Sequence, residues 1–153
     1  MIAVILAGCG GSGAAQQAPQ SLEGVGFRFD APAGWAVARS KGRLTASQGS
    51  ALVQVASFPL LKPYSDALFT RVEKELDARM QQIAAQTGGT VSGPTTVTTG
   101  GIRAHSYEVK AGDTIDEYTF VLRRMREFQL LCRRSPSSGD DACKQLLTSF
   151  VVA

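Results

Sequence analysis

Thr114-Ile115-Asp116-Glu117-Tyr118-Thr119-Phe120-Val121-Leu122-Arg123 is the stretch on which the fold of this chain turns. Tyr118, Phe120 and Leu122 fall on one face of an extended backbone and Glu117, Thr119 and Val121 on the other, the period of two that a strand imposes. Ala111-Gly112-Asp113 before it reads as a tight turn, and Arg124-Met125-Arg126-Glu127 after it leads into Phe128-Gln129-Leu130-Leu131-Cys132. Upstream, Thr95 to Thr99 and Ile102 to Val109 form two further strand-like runs joined at Gly100-Gly101. Short consecutive strands with such tight connections pair with their neighbours, so this half of the chain predicts an antiparallel meander.

Towards the amino terminus, Phe27-Arg28-Phe29-Asp30 alternates in the same way. Ala31-Pro32-Ala33-Gly34 is a turn, Trp35-Ala36-Val37 resumes an extended segment, and Lys41-Gly42 is another turn. Ala51 to Phe58, carrying Leu52, Val53 and Val55, is rich in strand formers, and Pro59 and Pro63 bracket a connection. A helix then runs from a cap at Ser65 or Asp66 to about Gln86, where Gly88-Gly89 stops it. Its apolar residues Leu68, Phe69, Val72, Leu76, Met80 and Ile83 lie within about 120° of one another at 100° per residue. Arg71, Lys74 and Asp77 are expected on the opposite side, with Arg71/Glu75 and Glu75/Arg79 as i,i+4 pairs along the flank. Asp140 or Asp141 caps a closing helix that carries Cys143, Leu146, Leu147 and Phe150. No internal repeat interrupts the pattern. The class is α+β: an antiparallel sheet of about six strands flanked by helices.

With 153 residues, the chain is one domain plus a tail, long enough to bury about two thirds of its unfolded surface. A net charge of +3 is too small an excess, and too little clustered, to point to nucleic acid. No apolar run approaches the roughly 18 residues of a spanning helix.

Met1-Ile2-Ala3-Val4-Ile5-Leu6-Ala7-Gly8 ends on Cys9. This resembles the end of a bacterial lipoprotein signal peptide, with Leu6-Ala7-Gly8-Cys9 as the lipobox. The resemblance implies that residues 1–8 are removed and that the Cys9 thiol carries the lipid, whose acyl chains hold the protein at a membrane. Because no Lys or Arg precedes the short apolar run, the expected start lies upstream of Met1. A rival reading takes Gly8-Cys9-Gly10-Gly11-Ser12-Gly13 as the dinucleotide fingerprint. That motif needs a helix behind it to face the pyrophosphate, and Pro19 intervenes. A third reading is a plain buried strand. Gly10 to Gln20 is uncharged and rich in Gly, Ala, Gln and Ser, the composition of a flexible linker. The organisation expected is therefore a signal-peptide remnant over 1–8, a lipidated Cys9 and tether over 9–20, and a globular domain over 21–153.

The other two cysteines, Cys132 and Cys143, stand at the end of a predicted strand and the start of the closing helix. Their spacing does not fit a C-x-x-C redox motif, and no histidine lies beside them to complete a zinc site. A disulfide is expected, with two buried free thiols as the alternative. The bridge and the lipobox support each other, since both require export to an oxidising compartment.

From Phe27 to Phe150 the chain resembles the PsbP-like superfamily. The residues concerned are Phe29-x-x-Pro32-x-Gly34-Trp35, Gly101-x-x-Ala104-x-x-Tyr107 and Tyr118-x-Phe120-x-Leu122, followed by Leu130-x-Cys132 and Cys143-x-x-Leu146-Leu147-x-Ser149-Phe150. Most are packing and turn positions. The resemblance implies an α/β/α sandwich built on an antiparallel sheet, and a binding or assembly role without catalytic residues to carry over.

Candidate chemistry is sparse. His105 and the adjacent Ser106 point to opposite faces of one strand, so His105 is read as an ordinary half-exposed strand residue. Asp113, Asp116 and Glu117 lack the glycine-centred spacing of a calcium loop and read as a solvated turn. Arg123, Arg124 and Arg126 at one hairpin tip, and Arg133 and Arg134 at the far end of the next strand, form two small basic patches that read as solvated loop charge or, alternatively, as contacts for an anionic lipid, envelope polymer or acidic partner surface. Roughly 20 Å of strand separates the two groups. Neither a cofactor nor a metal site is expected. The reading is a lipid-anchored, non-enzymatic protein of the bacterial cell envelope, its domain facing the periplasm or the exterior. That domain would bind an envelope protein or a small ligand. An enzyme with a dispersed active site and a purely structural envelope component are the competing readings.

Overall fold

The computed structural model describes residues 17–153, so Cys9, the lipobox and the other expectations for residues 1–16 lie outside the described residues. The elements are β1 (Gln20–Gly24), β2 (Phe27–Ala31), β3 (Ala36–Ser40), β4 (Arg43–Gln48), β5 (Ala51–Pro59), α1 (Phe69–Thr87), β6 (Thr90–Thr99), β7 (Ile102–Ala111), β8 (Thr114–Arg123), β9 (Arg126–Arg134), α2 (Asp141–Ser149) and β10 (Val151–Val152). A seven-stranded sheet runs in the order β3-β4-β5-β9-β8-β7-β6, and β1, β2 and β10 form a second sheet of three. All pairings are antiparallel, and β6 to β9 are the expected meander, each strand beside its sequence neighbour. The expectation of about six strands falls short because three strands give weak signals. β10 is two residues long, β1 has one buried apolar side chain (Leu22), and β4 has two small-amplitude ones, Leu44 and Ala46. Gln20, expected in the tether, opens β1, and its side-chain amide donates to the carbonyls of Pro32 and Trp35 at 3.0 and 2.9 Å.

Both faces of the large sheet are covered. On one side Phe27 and Phe29 of β2 and Phe150 beyond α2 pack on Phe128, Leu130 and Val121. Phe128 meets Phe27 and Phe150 edge-on, with ring centroids 6.0 and 5.7 Å apart. On the other side Leu76, Met80 and Ala84 of α1 pack on Tyr107, Phe120, Leu122 and Leu131. Thr119 and Val121 are therefore as buried as Tyr118 and Phe120, and β8 carries a two-sided core despite its alternating sequence. Cys132 and Cys143 are bridged, with their Cα atoms 5.4 Å apart, tying α2 to β9.

The long helix is close to its expected span. A single 3-10 turn, Asp66–Leu68, precedes α1, and Ser65 occupies the cap position without a side-chain cap bond. The carboxy-terminal stop is Gly88 at φ 65°, a left-handed position that glycine adopts at little cost. Gly89 N–H then donates to the Ala84 carbonyl at 2.8 Å. Two flank residues differ from expectation. Asp77 is half-buried and accepts a 2.7 Å hydrogen bond from the Tyr107 hydroxyl. Arg79 pairs with Glu127 of β9 at 2.8 Å and lies over the Phe120 ring, rather than turning back to Glu75. In both cases the sheet supplies a partner that a helix considered alone lacks.

These contacts generate two predictions. The loop closed by the bridge has a sequence separation of 11, and constraining the unfolded chain over such a loop stabilises by roughly 2–3 kcal/mol. The Cys132→Ser/Cys143→Ser chain should lose about that much in urea melts, whereas reductant should leave its melt unchanged. The second prediction concerns alkali. Desolvation first, then the hydrogen bond to Asp77, pushes the Tyr107 phenol well above its ordinary value of 10.0. Below pH 10 the phenol is protonated in both states and adds no pH dependence. Above it the unfolded chain releases the proton that the folded chain retains, so stability should fall as pH rises. Tyr107→Phe should reduce that slope between about pH 10 and 12 in chemical melts, while Tyr64 and Tyr118, both raised chiefly by burial, and Lys144, raised by its hydrogen bond with Asp140, keep the slope from vanishing.

Candidate binding surface

The five arginines singled out as anionic contacts divide into two classes. Asp116 and Arg133 stand directly opposite each other in the β8/β9 register, where same-face side chains touch. Arg133 donates to both Asp116 carboxylate oxygens at 2.7 and 2.8 Å, and this bond raises its pKa further. On the other face Arg134 donates to Glu117 at 3.0 Å and lies 3.5 Å from Glu108. Asp113 is on the β7–β8 turn and exposed, as expected. Asp116 is not turn-like: it is a buried strand residue whose charge is answered by Arg133. Glu117 likewise faces its strand neighbour. Arg133 and Arg134 are thus internally satisfied, and the recess of about 420 Å³ beside Arg134 has Glu108, Glu117 and Asp140 in its wall, an acidic lining unsuited to an anion.

His105 departs furthest from its expected half-exposed position, since its side chain has 0% exposure. The cause is α1, which covers β7. The imidazole stacks on Phe69 with centroids 3.7 Å apart, and Nε2 lies 3.3 Å from the Phe69 carbonyl oxygen. Nδ1 is 3.5 Å from a Glu73 carboxylate oxygen but lacks a hydrogen bond of good geometry among the described residues. Ser106 faces away, as expected, with its hydroxyl 3.1 Å from that of Thr119. A general base must reach its substrate, and this ring is sealed beneath a helix.

The remaining arginines lie at the other end of β9, where the chain reversals gather. Ser57 N–H donates to Gly42 at 2.8 Å, Leu60 N–H to Met125 at 2.8 Å, Tyr64 N–H to Arg124 at 2.7 Å, and Ala153 N–H to Gly26 at 3.0 Å. The middle two strap the Leu60–Tyr64 connection to the β8–β9 turn, and the others fix the β3–β4 turn to β5 and the β1–β2 turn to Ala153 at the same end of the sheet. Among the described residues, five of the six large exposed apolar ones are here, namely Val25, Phe58, Leu61, Met125 and Val151, and Leu61 is fully exposed at 101%. Arg123 and Arg124 are exposed beside them, with no carboxylate within 4 Å among the described residues. Arg126 is instead half-buried and donates to the Ser57 hydroxyl at 3.0 Å. Arg124 has φ 53°, a left-handed conformation held by the two-residue turn. Two recesses of about 260 and 230 Å³ flank it, sharing Arg123, Arg124, Val152 and Ala153. Sequence reading did not identify Leu61 and Met125 as members of this surface. The available signal was a pair of leucines, Leu60-Leu61, in a connection between prolines where no core position was expected.

No protein-family profile matches the sequence, and no curated protein is detectably similar to it. Among solved structures, a Bacteroides thetaiotaomicron protein superposes with a TM-score of 0.61 at 10% identity, covering 90% of this chain and 49% of the other. This chain thus spans about half the length of that protein. The solution structure of the cyanobacterial PsbP protein CyanoP from Synechocystis superposes with a TM-score of 0.64 at 17% identity, covering 97% of this chain and 99% of CyanoP. Near-complete coverage of both chains, on the two-faced sheet described above, shows that this chain has a PsbP-like fold.

Proposed function

We propose that this chain is a lipid-anchored, non-catalytic binding module of a bacterial cell envelope, held at the membrane through Cys9. Its domain engages a partner through the rim of turns around Arg123 and Arg124. One observation carries the reading: of the five candidate arginines, only these two are exposed with neither a carboxylate nor a hydrogen-bond partner among the described residues, Arg126 being half-buried against Ser57, and they stand beside exposed Leu61 and Met125. Free cations next to unburied apolar side chains are the composition of a contact surface. Arg133 and Arg134 serve the sheet instead. The anchor rests on the lipobox pattern, and the Cys132–Cys143 bridge is in keeping with an exported protein.

Two measurements test this. Expressed with an upstream-extended start, the wild-type chain should incorporate clickable palmitate and the Cys9→Ala chain should not; label persisting in the mutant excludes Cys9 as the anchor. For the surface, Arg123→Glu/Arg124→Glu should abolish co-purification with detergent-solubilised envelope while shifting stability by no more than about 0.5 kcal/mol. Arg133→Ala should behave in the opposite way, retaining association but losing roughly 1–3 kcal/mol because Asp116 is left buried without its donor. Equal loss of association in both variants would remove the distinction on which the reading rests.

A further inference from the structure

The chemistry of the turn rim identifies its occupant more closely. We infer that this rim is a lipid-docking tip, binding an anionic bilayer by inserting Leu61 and Met125 between headgroups while Arg123 and Arg124 contact phosphates. The inference rests on the reading of the rim as the contact surface and adds what it contacts.

Shape is the first argument. Leu61 is fully exposed and projects from the rim, and Met125, 45% exposed, stands at the edge of the recess beside Arg124. Anchor residues between proteins fill pockets, whereas residues that enter a membrane interface project from a cationic surround. Rigidity is the second. The Leu60 and Met125 backbones are joined at 2.8 Å and those of Tyr64 and Arg124 at 2.7 Å, so the loop bearing Leu61 is strapped to the turn bearing the arginines. Pro59 and Pro63 restrict the same loop. A tip ordered in advance loses little conformational freedom on docking.

Charge is the third argument. Lys41, Lys62, Arg123 and Arg124 occupy the reversals at this end. Glu23, Asp66 and Glu127 lie near the rim, the last already paired with Arg79, and the α-carboxylate of Ala153 stands at the two recesses without pairing with either arginine within 4 Å. At the opposite end Glu108, Asp113, Asp116, Glu117, Asp140 and Asp141 outnumber Lys110, Arg133, Arg134 and Lys144, which are paired with four of them. An anionic surface attracts the first end and repels the second, which orients the domain before contact. The two recesses of about 260 and 230 Å³ beside Arg123 and Arg124 provide room for headgroups between the inserted side chains.

The test uses the full-length Cys9→Ala chain, which no acyl group can hold, in flotation with vesicles of phosphatidylcholine alone or with one third phosphatidylglycerol. Binding to the anionic vesicles should be at least about tenfold tighter and should weaken as salt shortens the Debye length below about 10 Å. Arg123→Glu/Arg124→Glu should reduce binding to the level on neutral vesicles. Leu61→Ser, which removes a side chain that packs on nothing, should weaken binding several-fold without changing the salt dependence. Thermal melts matching the parent establish that each variant is folded. Equal binding to both vesicle types, or no effect of the charge reversal, overturns the lipid assignment. Should vesicles be ignored while an envelope protein is retained in an Arg123/Arg124-dependent way, the rim is a protein contact: the lipid assignment fails and the contact-surface reading stands. If neither depends on the two arginines, both fall.

Discussion

Burial of β8 and β9 on both faces is the constraint from which the rest of the architecture follows. Val121, Phe128 and Leu130 require cover on one side, and Tyr118, Phe120 and Leu131 on the other. A sheet with two apolar faces in water is unstable until each is covered by a further layer. The chain supplies α1 for one face. For the other it supplies a composite of β1, β2, α2 and β10, drawn from both ends of the described sequence. This layer closes because β10 pairs with β2, placing Phe150 against Phe27 and Phe128. The disulfide acts on the same layer, fixing α2 to β9 at the point where the chain leaves the sheet.

The same layering decides which polar residues are structural. Once α1 lies across β7, His105 becomes a core residue stacked on Phe69, and Tyr107 satisfies its hydroxyl through Asp77. Once β8 and β9 pair, Asp116 and Arg133 must meet, because their register places them opposite each other. Burying a charge without a partner costs several kcal/mol, so arginines near the middle of the sheet are bound to the carboxylates beside them. Arg123 and Arg124 escape that requirement because Arg123 closes the ladder opposite Arg126, not a carboxylate, and Arg124 lies on the turn beyond the last pair. Their availability is a property of position, shared with Leu61 and Met125 on the connection strapped to the same turn.

The amino-acid sequence by itself determined the local repertoire. Alternation from Ile102 to Cys132 specified the meander, the Phe69-to-Ile83 stripe and Gly88 specified the helix and its stop, and the positions of Cys132 and Cys143 made a bridge the expected pairing, with free thiols as the alternative. These signals are local, because each depends on backbone periodicity or on a single residue's conformational preference. The tertiary structure alone decided the rest. Leu22 and Leu44 give no readable strand pattern, and β1, β4 and β10 exist because neighbouring strands complete their hydrogen bonds. Asp77, Arg79, Asp116 and His105 acquired partners or lost solvent through elements distant in sequence. The division of five chemically identical arginines into bound and available sets likewise depended on register, since charge is written in the sequence but its neutralisation depends on what stands within a few ångströms in space.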